Sequence, residues 1–450
     1  MTGIQENGLQ RTALVLGLGR SGAAAARLLA SQGWQVTVVD AGPGTATVPD
    51  AVRVITNAGA LPSGRFDLCV VSPGIDCESA WVRQAATTCR EVIAELELGW
   101  RHCRCPILAV TGTNGKSTLV KLLVDMLTAG GLRSEPSGNY GTPLCASATR
   151  SDALDWIVAE VSSFQLELVQ AFRPRIGIML NLQPDHLGRH GTLQRYGALK
   201  ARLFRAMRSA DAAWVHESQF AAMRTGADSG APAWMKFGTG EDCEARFDSA
   251  NHTVCYRPPD GGDAVRVSLD GTAFDNPVTG PAAAVAVATA RQCAIRADAI
   301  EGAIAGFIPL AHRMQPVGTV RGVRYINDSK ATNLNALQAA LEMTSAPVRL
   351  IAGGQLKEKD LSFVKEVLKS RVVSVYLIGE AAHSMAIAWS DCVPCRICED
   401  LGKALVVSAQ DASAGDVVLL SPGCASFDQF RSYADRGEQF MHSVRRIENP

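Results

Sequence analysis

The sequence predicts an α/β fold built on parallel sheets, and three observations predict it. Short β-branched runs alternate along the chain with glycine turns and alanine-rich amphipathic stretches, the pattern of strands joined by crossover helices. Two of the glycine turns fall between a strand and a helix, where loops bind phosphate. The 450 residues allow two to four domains at about 100–200 residues each, and two compositional breaks suggest three.

The first strand, Ala13–Leu16, runs into Gly17-Leu-Gly-Arg-Ser-Gly22, which opens an alanine-rich helix. The next strand, Val36–Val39, ends at Asp40. This matches G-x-G-x-x-G with an acid about 20 residues on. Its mechanism is a diphosphate at a helix N-terminus, so NAD is not required; a UDP-sugar fits equally well. After the strand Leu68–Val71 comes the first break, Arg101-His-Cys-Arg-Cys-Pro106.

A fresh strand, Ile107–Val110, leads to Gly112-Thr-Asn-Gly-Lys-Ser-Thr118, the strongest local signal. Such a loop turns backbone N–H groups and a helix N-terminus toward phosphate oxygens. Lys116 would neutralise β/γ-phosphates and the Ser117 hydroxyl would ligate Mg²⁺. Gly112 lies two residues too late to open the usual G-x-x-x-x-G-K-[ST]. A glycine turn that merely joins strand to helix would explain neither the lysine nor the hydroxyls. Glu160 ends the strand Trp156–Ala159, and Asn181-Leu-Gln-Pro-Asp-His186 follows the strand Ile176–Leu180. Open parallel sheets gather ligands at such carboxyl ends, so Glu160 and His186 could hold Mg²⁺ beside the loop. Alone, each would read as a cap.

Residues 234–270 are turn-rich with short alternating strands, His252–Tyr256 and Val265–Leu269, which reads as a small antiparallel insert. The alanine run 281–290 reads as a packed helix. The second break, Phe307-Ile-Pro-Leu-Ala-His312, precedes a strand near Val320–Tyr325, then strands at Val348–Ile351, Val375–Ile378 and Val417–Leu420.

Composition narrows the class. Lys+Arg and Asp+Glu both number 44, which argues against a dedicated nucleic-acid binder. No stretch reaches the roughly 20 apolar residues of a membrane helix, and Met1–Gly8 lacks the order of a secretion signal. A cytoplasmic location is expected, with monomer as the default. Thirteen cysteines, an odd number, do not suggest a disulfide framework. Cys392, Cys395 and Cys398 have metal-like spacing but no nearby fourth ligand, so they read as small apolar side chains, as do Cys103 and Cys105.

Taken in order, these residues resemble the Mur ligase family of cell-wall peptide synthetases. Further blocks carry the resemblance: Gly138-Asn-Tyr-Gly141, Tyr196–Lys200, His312-Arg-Met-Gln315, Asn327-Asp-Ser-Lys-Ala-Thr-Asn333, Gly353–Lys357 and Ser421-Pro-Gly-Cys-Ala-Ser-Phe-Asp-Gln-Phe430. It implies three domains: a Rossmann-like one (1–104) for a UDP substrate, a P-loop one (105–310) for ATP, and a Rossmann-like one (311–450) for glutamate. The implied reaction uses ATP to join glutamate, D-glutamate foremost, to UDP-N-acetylmuramoyl-L-alanine through an acyl phosphate. Matching the family's motifs assigns ATP to Gly112, Thr113, Asn114, Gly115, Lys116, Ser117, Thr118, Arg313 and Asp328. The UDP substrate falls to Arg20, Ser21, Asp40, Gly74, Asn139 and His186, and glutamate to Lys330, Thr332, Lys357, Ser426 and Tyr433. Two Mg²⁺ ions fall to Ser117, Glu160, His186 and a Lys200 carbamylated by CO₂, with Lys116, Glu160, His186 and Lys200 forming the catalytic set. Because ATP residues come from two domains, closure on nucleotide is implied.

Two departures from the family pattern stand out. Asn276 keeps a first asparagine ahead of the alanine helix, but Thr279 replaces the second, and Gln315 stands where a glutamate is usual. The alternatives are an L-glutamate-adding variant, a sibling Mur or folylpolyglutamate-type ligase, and, from another class, an NAD-dependent dehydrogenase or nucleotide sensor built on Gly17–Gly22. The last leaves the P-loop, Glu160 and the Ser421–Phe430 block unexplained.

Overall fold

The computed structural model describes residues 10–226 and 231–448, which form three sheets. The first contains β1 (Thr12–Leu16), β2 (Gln35–Val39), β3 (Arg53–Ile55), β4 (Leu68–Val71) and β5 (Val92–Ala94) in the order β3-β2-β1-β4-β5. All its pairings are parallel. Helices α1 (Arg20–Ser31), α2 (Ala80–Thr88) and α3 (Glu95–His102) accompany it. Ala13, Val15, Val36 and Val38 pack in one core cluster, Leu14, Leu16 and Val39 in another. Burial on both faces explains why these strands read as unbroken apolar runs.

The central sheet holds β6 (Ile107–Thr111), β7 (Ser134–Gly138), β8 (Trp156–Glu160), β9 (Ile176–Met179), β10 (Ala212–His216), β11 (Ala233–Gly238), β12 (Ala245–Asp248), β13 (Thr253–Tyr256) and β14 (Val265–Ser268). Their order is β14-β13-β12-β11-β10-β9-β6-β8-β7. Its helices are α4 (Lys116–Ala129), α5 (Leu144–Ala148), α6 (Ser163–Leu166), α7 (Leu187–His190), α8 (Leu193–Ala201), α9 (Phe220–Gly226), α10 (Gly280–Gln292) and α11 (Ala297–Ala305). The antiparallel strands expected after residue 250 are present as β13 and β14, paired antiparallel with β12 and with each other. β11 and β12 pair in parallel, so the strands extend the edge of the main sheet. Ala283, Ala284, Ala286 and Ala288 on α10 are fully buried, and alanine allows that close packing.

The third sheet contains β15 (Gln315–Val320), β16 (Val323–Asn327), β17 (Val348–Gly353), β18 (Val372–Ile378), β19 (Cys395–Ile397) and β20 (Val417–Leu420) in the order β15-β16-β20-β17-β18-β19. Helices α12 (Leu334–Glu342), α13 (Lys365–Arg371), α14 (Ala382–Trp389), α15 (Leu401–Asp411) and α16 (Tyr433–Glu448) accompany it. The single strand expected near Val320–Tyr325 is a hairpin. Arg321 and Gly322 both take positive φ (51° and 79°) and turn the chain between paired Val320 and Val323. Such two-residue turns match the twist of the strands they join.

The described residues up to Ser268, with Pro281–Ala305, form one compact unit, so the first two sheets belong together. Residues Leu269–Gly280 group instead with those from Gly306 onward in a second unit. Within the first unit α3 is the joint. Glu97, fully buried, accepts the backbone N–H groups of Gln170, Ala171 and Phe172 at 2.9–3.1 Å, and Trp100 Nε1 donates to the Arg173 carbonyl at 3.0 Å. Among the described residues no helix is long and apolar enough to cross a membrane.

Candidate active site

In the first sheet, the Gly17–Gly22 turn joins β1 to α1. A Cβ on Gly22 would lie 1.8 Å from the Gly17 carbonyl oxygen, so only glycine lets the helix start so near the strand. Asp40, at the end of β2, accepts the Leu18 N–H at 2.6 Å and the Gly42 N–H at 2.8 Å. Its carboxylate therefore shapes the loop itself. Arg20 reaches the Gly141 carbonyl at 2.5 Å, Ser21 lies in the first turn of α1, and Gly74 is exposed in the loop after β4.

The central sheet brings the predicted catalytic residues to one edge. The loop from β6 to α4 has positive φ at Gly112 (149°) and at Gly115 (84°), which caps α4. Its backbone is braced by Asn181 just beyond β9, whose Oδ1 accepts the N–H groups of Thr113 (3.0 Å) and Asn114 (2.9 Å). The Thr113 hydroxyl donates to the Gln183 carbonyl at 3.2 Å, and the Asn114 side-chain amide to Gln183 Oε1 at 3.0 Å. Ser117, at the start of α4, donates to Glu160 Oε2 at 2.5 Å. The other carboxylate oxygen accepts from Asn139 Nδ2 at 2.6 Å. Asn139, assigned by resemblance to the UDP substrate, thus shares the Glu160 carboxylate with Ser117.

Two lysines converge on the Gly112 carbonyl: Lys116 Nζ at 2.9 Å and Lys200 Nζ at 2.8 Å. Lys116 also donates to the Thr113 carbonyl at 2.8 Å. Lys200, in α8, is only 1% exposed and lies 4.4 Å from the centre of the Tyr196 ring. Burial, and then the neighbouring Lys116 charge, hold its pKa well below the ordinary lysine value. Both effects favour the uncharged amine over the ammonium. His186 precedes α7 at φ 54°, 3.6 Å from Asp185 and with ring centroids 4.8 Å from Phe164 and 6.5 Å from Tyr196. Tyr196 therefore contacts both His186 and Lys200. Ser117 and Glu160 offer hard oxygen donors of the kind Mg²⁺ takes.

The third sheet gathers the remaining predicted residues at the ends of β16, β17 and β20. Asp328 follows β16, is buried, and accepts from the Met314 N–H (3.0 Å) and the Ser421 hydroxyl (2.9 Å). Burial raises its pKa to about 7. Lys330 Nζ lies 3.6 Å from the centre of the Tyr433 ring, at the start of α16. Ser426 is buried, Thr332 half-buried and Lys357 exposed. Arg313 lies in the turn before β15, its N–H donating to the Leu310 carbonyl at 3.1 Å.

The two sequence departures are local turn formers. Asn276 Oδ1 accepts the Val278 and Thr279 N–H groups, its Nδ2 donates to Thr279 Oγ1 at 2.7 Å, and that hydroxyl donates to the Ala273 carbonyl at 3.1 Å. Gln315 Oε1 accepts the His312 N–H at 2.9 Å. Cys392 and Cys395 pack on one core cluster and Cys398 on the cluster across the sheet, so the three thiols do not gather at one point. Sequence reasoning missed Asn181, Gln183 and the Asn139–Glu160 bond. A polar residue just past a strand beside the P-loop strand was the available signal for Asn181, but it does not say which loop is braced.

Three family descriptions match the chain: Mur ligase MurD-like, N-terminal domain, over residues 11–94; Mur ligase middle domain, over 110–260; and Mur ligase, glutamate ligase domain, over 312–424. A UDP-N-acetylmuramoylalanine--D-glutamate ligase from Koribacter versatilis is 36% identical, with 96% of this chain and 97% of that protein covered. The enzyme of the same name from Pelotomaculum thermopropionicum is 37% identical, with 97% of each covered. Among solved structures, MurF ligase from Thermotoga maritima in complex with ADP shares the fold at TM-score 0.62 and 16% identity, covering 98% of this chain and 96% of that one. E. coli FolC in complex with DHPP and ADP has TM-score 0.57 and 20% identity, covering 78% and 91%.

Proposed function

This chain belongs to the Mur ligase family, and from that premise we infer that it is a UDP-N-acetylmuramoyl-L-alanine:D-glutamate ligase driven by ATP, serving peptidoglycan synthesis. The relatives that match nearly its full length carry that activity in their names. The observation on this chain that carries the reading is the convergence of Lys116, Ser117, Glu160 and Lys200 on one P-loop.

A carboxylate is a poor electrophile because its oxygen is a poor leaving group. In the proposed reaction the alanyl carboxylate oxygen attacks the γ-phosphorus of ATP, and ADP departs. The glutamate amine, having lost its proton, then attacks the acyl carbon; the C–N bond forms and phosphate leaves. Each step crowds anions together, so the protein's task is to place positive potential where they meet. The backbone N–H groups of Gly112–Thr118 and the α4 N-terminus hold phosphate oxygens, and Lys116 swings to them from the loop carbonyls. Arg313 and Asp328 serve ATP from the third domain.

Two Mg²⁺ ions fit this donor set: Ser117 and Glu160 would hold one, and His186 with a carbamylated Lys200 the other. Bound there, magnesium neutralises phosphate charge. The Lys200 carbamate forms when its neutral amine attacks CO₂, the C–N bond forms, and one proton is released; a cation becomes an oxygen-donating anion. The first domain takes the UDP moiety at Arg20, Ser21 and Gly74, with Asp40 ordering that loop, and Asn139 and His186 of the central domain stand nearer the pyrophosphate. Lys330, Thr332, Lys357, Ser426 and Tyr433 receive glutamate. Two ammonium groups suit its two carboxylates, since charge-assisted hydrogen bonds are the strong kind. The enzyme acts as a cytoplasmic monomer in this reading.

The test is phosphate release from ATP against an amino-acid panel containing both glutamate enantiomers. Release requires the UDP-muropeptide and D-glutamate together. Release with either substrate alone, or a preference for L-glutamate or another amino acid, contradicts the reading.

A further inference from the structure

The side chain of Arg436 is fully buried in α16 (0% exposed), and its partners make it unusual. Nε donates to Ser329 Oγ at 2.9 Å, and Nη2 to the carbonyls of Ser329 (2.9 Å) and Cys424 (3.1 Å). Nη1 reaches the Ala425 carbonyl at 3.5 Å. All four acceptors are neutral. A guanidinium is normally buried against a carboxylate, because the cost of removing a charge from water needs an opposite charge to offset it. Burial pulls this one down to about 10.

The groups it binds are the places where four chain segments meet. Ser329 immediately precedes Lys330, and its hydroxyl also donates to the Tyr433 carbonyl at 2.8 Å. Ala425 immediately precedes Ser426 and exchanges two 2.9 Å backbone hydrogen bonds with Gln355, two residues before Lys357. A Cβ on Gly354 would lie 3.2 Å from Nη1 and 2.3 Å from the Ala425 oxygen, so this junction closes only over glycine. Lys330, Lys357, Ser426 and Tyr433 thus come from four segments tied, directly or through one bond, to a single guanidinium.

We propose that Arg436 is a positioning residue for the amino-acid substrate: it sets the relative placement of the segments bearing Lys330, Lys357, Ser426 and Tyr433, and its charge adds to the positive potential that draws an anionic amino acid. The inference rests on the ligase reading above for the identity of that amino acid. Its planar fork offers donors on three separate nitrogens, all used here, whereas lysine's donors all sit on one.

The experiment compares wild type with Arg436→Met and Arg436→Lys, measuring KM separately for glutamate, ATP and the UDP-muropeptide, and kcat at saturation. The proposal expects KM for glutamate to rise at least tenfold in Arg436→Met and less in Arg436→Lys. The other two KM values stay within twofold and most of kcat is kept. A uniform loss of kcat with unchanged KM for glutamate overturns it, since that is what a merely structural arginine gives. If neither variant folds, Ser329→Ala removes one acceptor: a selective severalfold rise in KM for glutamate upholds the proposal and an unchanged value overturns it. Wild type that releases no phosphate with D-glutamate would instead defeat the ligase reading, a separate outcome.

Discussion

Lys200 is the residue on which the proposed carbamate depends. Its sequence context, a lysine at the end of a short helix, gives no hint of burial; that comes from α8 packing against the P-loop at the Gly112 carbonyl. Burial and the Lys116 charge favour its neutral amine, and a neutral amine is what carbamylation consumes. Lys200→Ala is expected to lose most activity and small carboxylates added to the assay to restore part of it. Full activity in the unrescued variant would remove the carbamate from the account. Asn181 makes a second residue-scale case. Its side chain accepts from Thr113 and Asn114 and donates to the Asn114 carbonyl. At about 0.5–1.5 kcal/mol per bond, Asn181→Ala should raise KM for ATP about tenfold or more. An unchanged KM for ATP would show that the loop keeps its shape without that brace.

At the scale of elements, α3 deserves a test because it joins the first two sheets through buried carboxylates. Glu95 is wholly buried; one oxygen accepts the Cys145 N–H at 2.8 Å, the other meets no hydrogen-bond partner among the described residues, and burial raises its pKa to about 7. Between the ordinary glutamate value and about 7 the native chain holds this proton and the unfolded chain has released it, so stability falls as pH rises through that window. Glu95→Gln removes the loss. It should raise the melting temperature above pH 7, with a benefit of up to about 3 kcal/mol, and change little at pH 4. A variant destabilised equally at both pH values would contradict this. Elements were also where the sequence was most and least readable. Parallel strands buried on both faces, such as Ala13–Leu16 and Val417–Leu420, announce themselves as apolar runs. The β15–β16 hairpin did not, because its turn is Arg321-Gly322 rather than a more familiar Asn-Gly pair, and alternation continues on both sides. The edge strands β13 and β14 were seen, but their attachment to β12 depends on a pairing that no local signal carries.

Across the whole molecule, all three sheets place their polar loops beyond strand carboxyl ends, the position where open α/β sheets collect ligands. The P-loop and Glu160 could be found from type and spacing because phosphate and metal chemistry demands those residues, whereas the Asn327–Asn333 block entered only through the family resemblance. What spacing could not supply was the second layer: Asp40 holding its own loop, Asn139 on Glu160, and Arg436 behind the amino-acid residues. The Arg436–Ser329 contact joins residues 107 apart, and the Asn139–Glu160 and Asp40–Leu18 contacts join residues 21 and 22 apart; sequence carries no distance between such partners. Neutral overall charge likewise hides that Lys116 and Lys200 come together at the Gly112 carbonyl.

The central claim is that the alanyl carboxylate is activated by phosphoryl transfer before the amine attacks. Labelling that carboxylate with heavy oxygen and analysing the released phosphate by mass spectrometry tests it most directly. The account predicts that one labelled oxygen per turnover appears in inorganic phosphate, in step with amide formed. Unlabelled phosphate alongside normal amide product would contradict it.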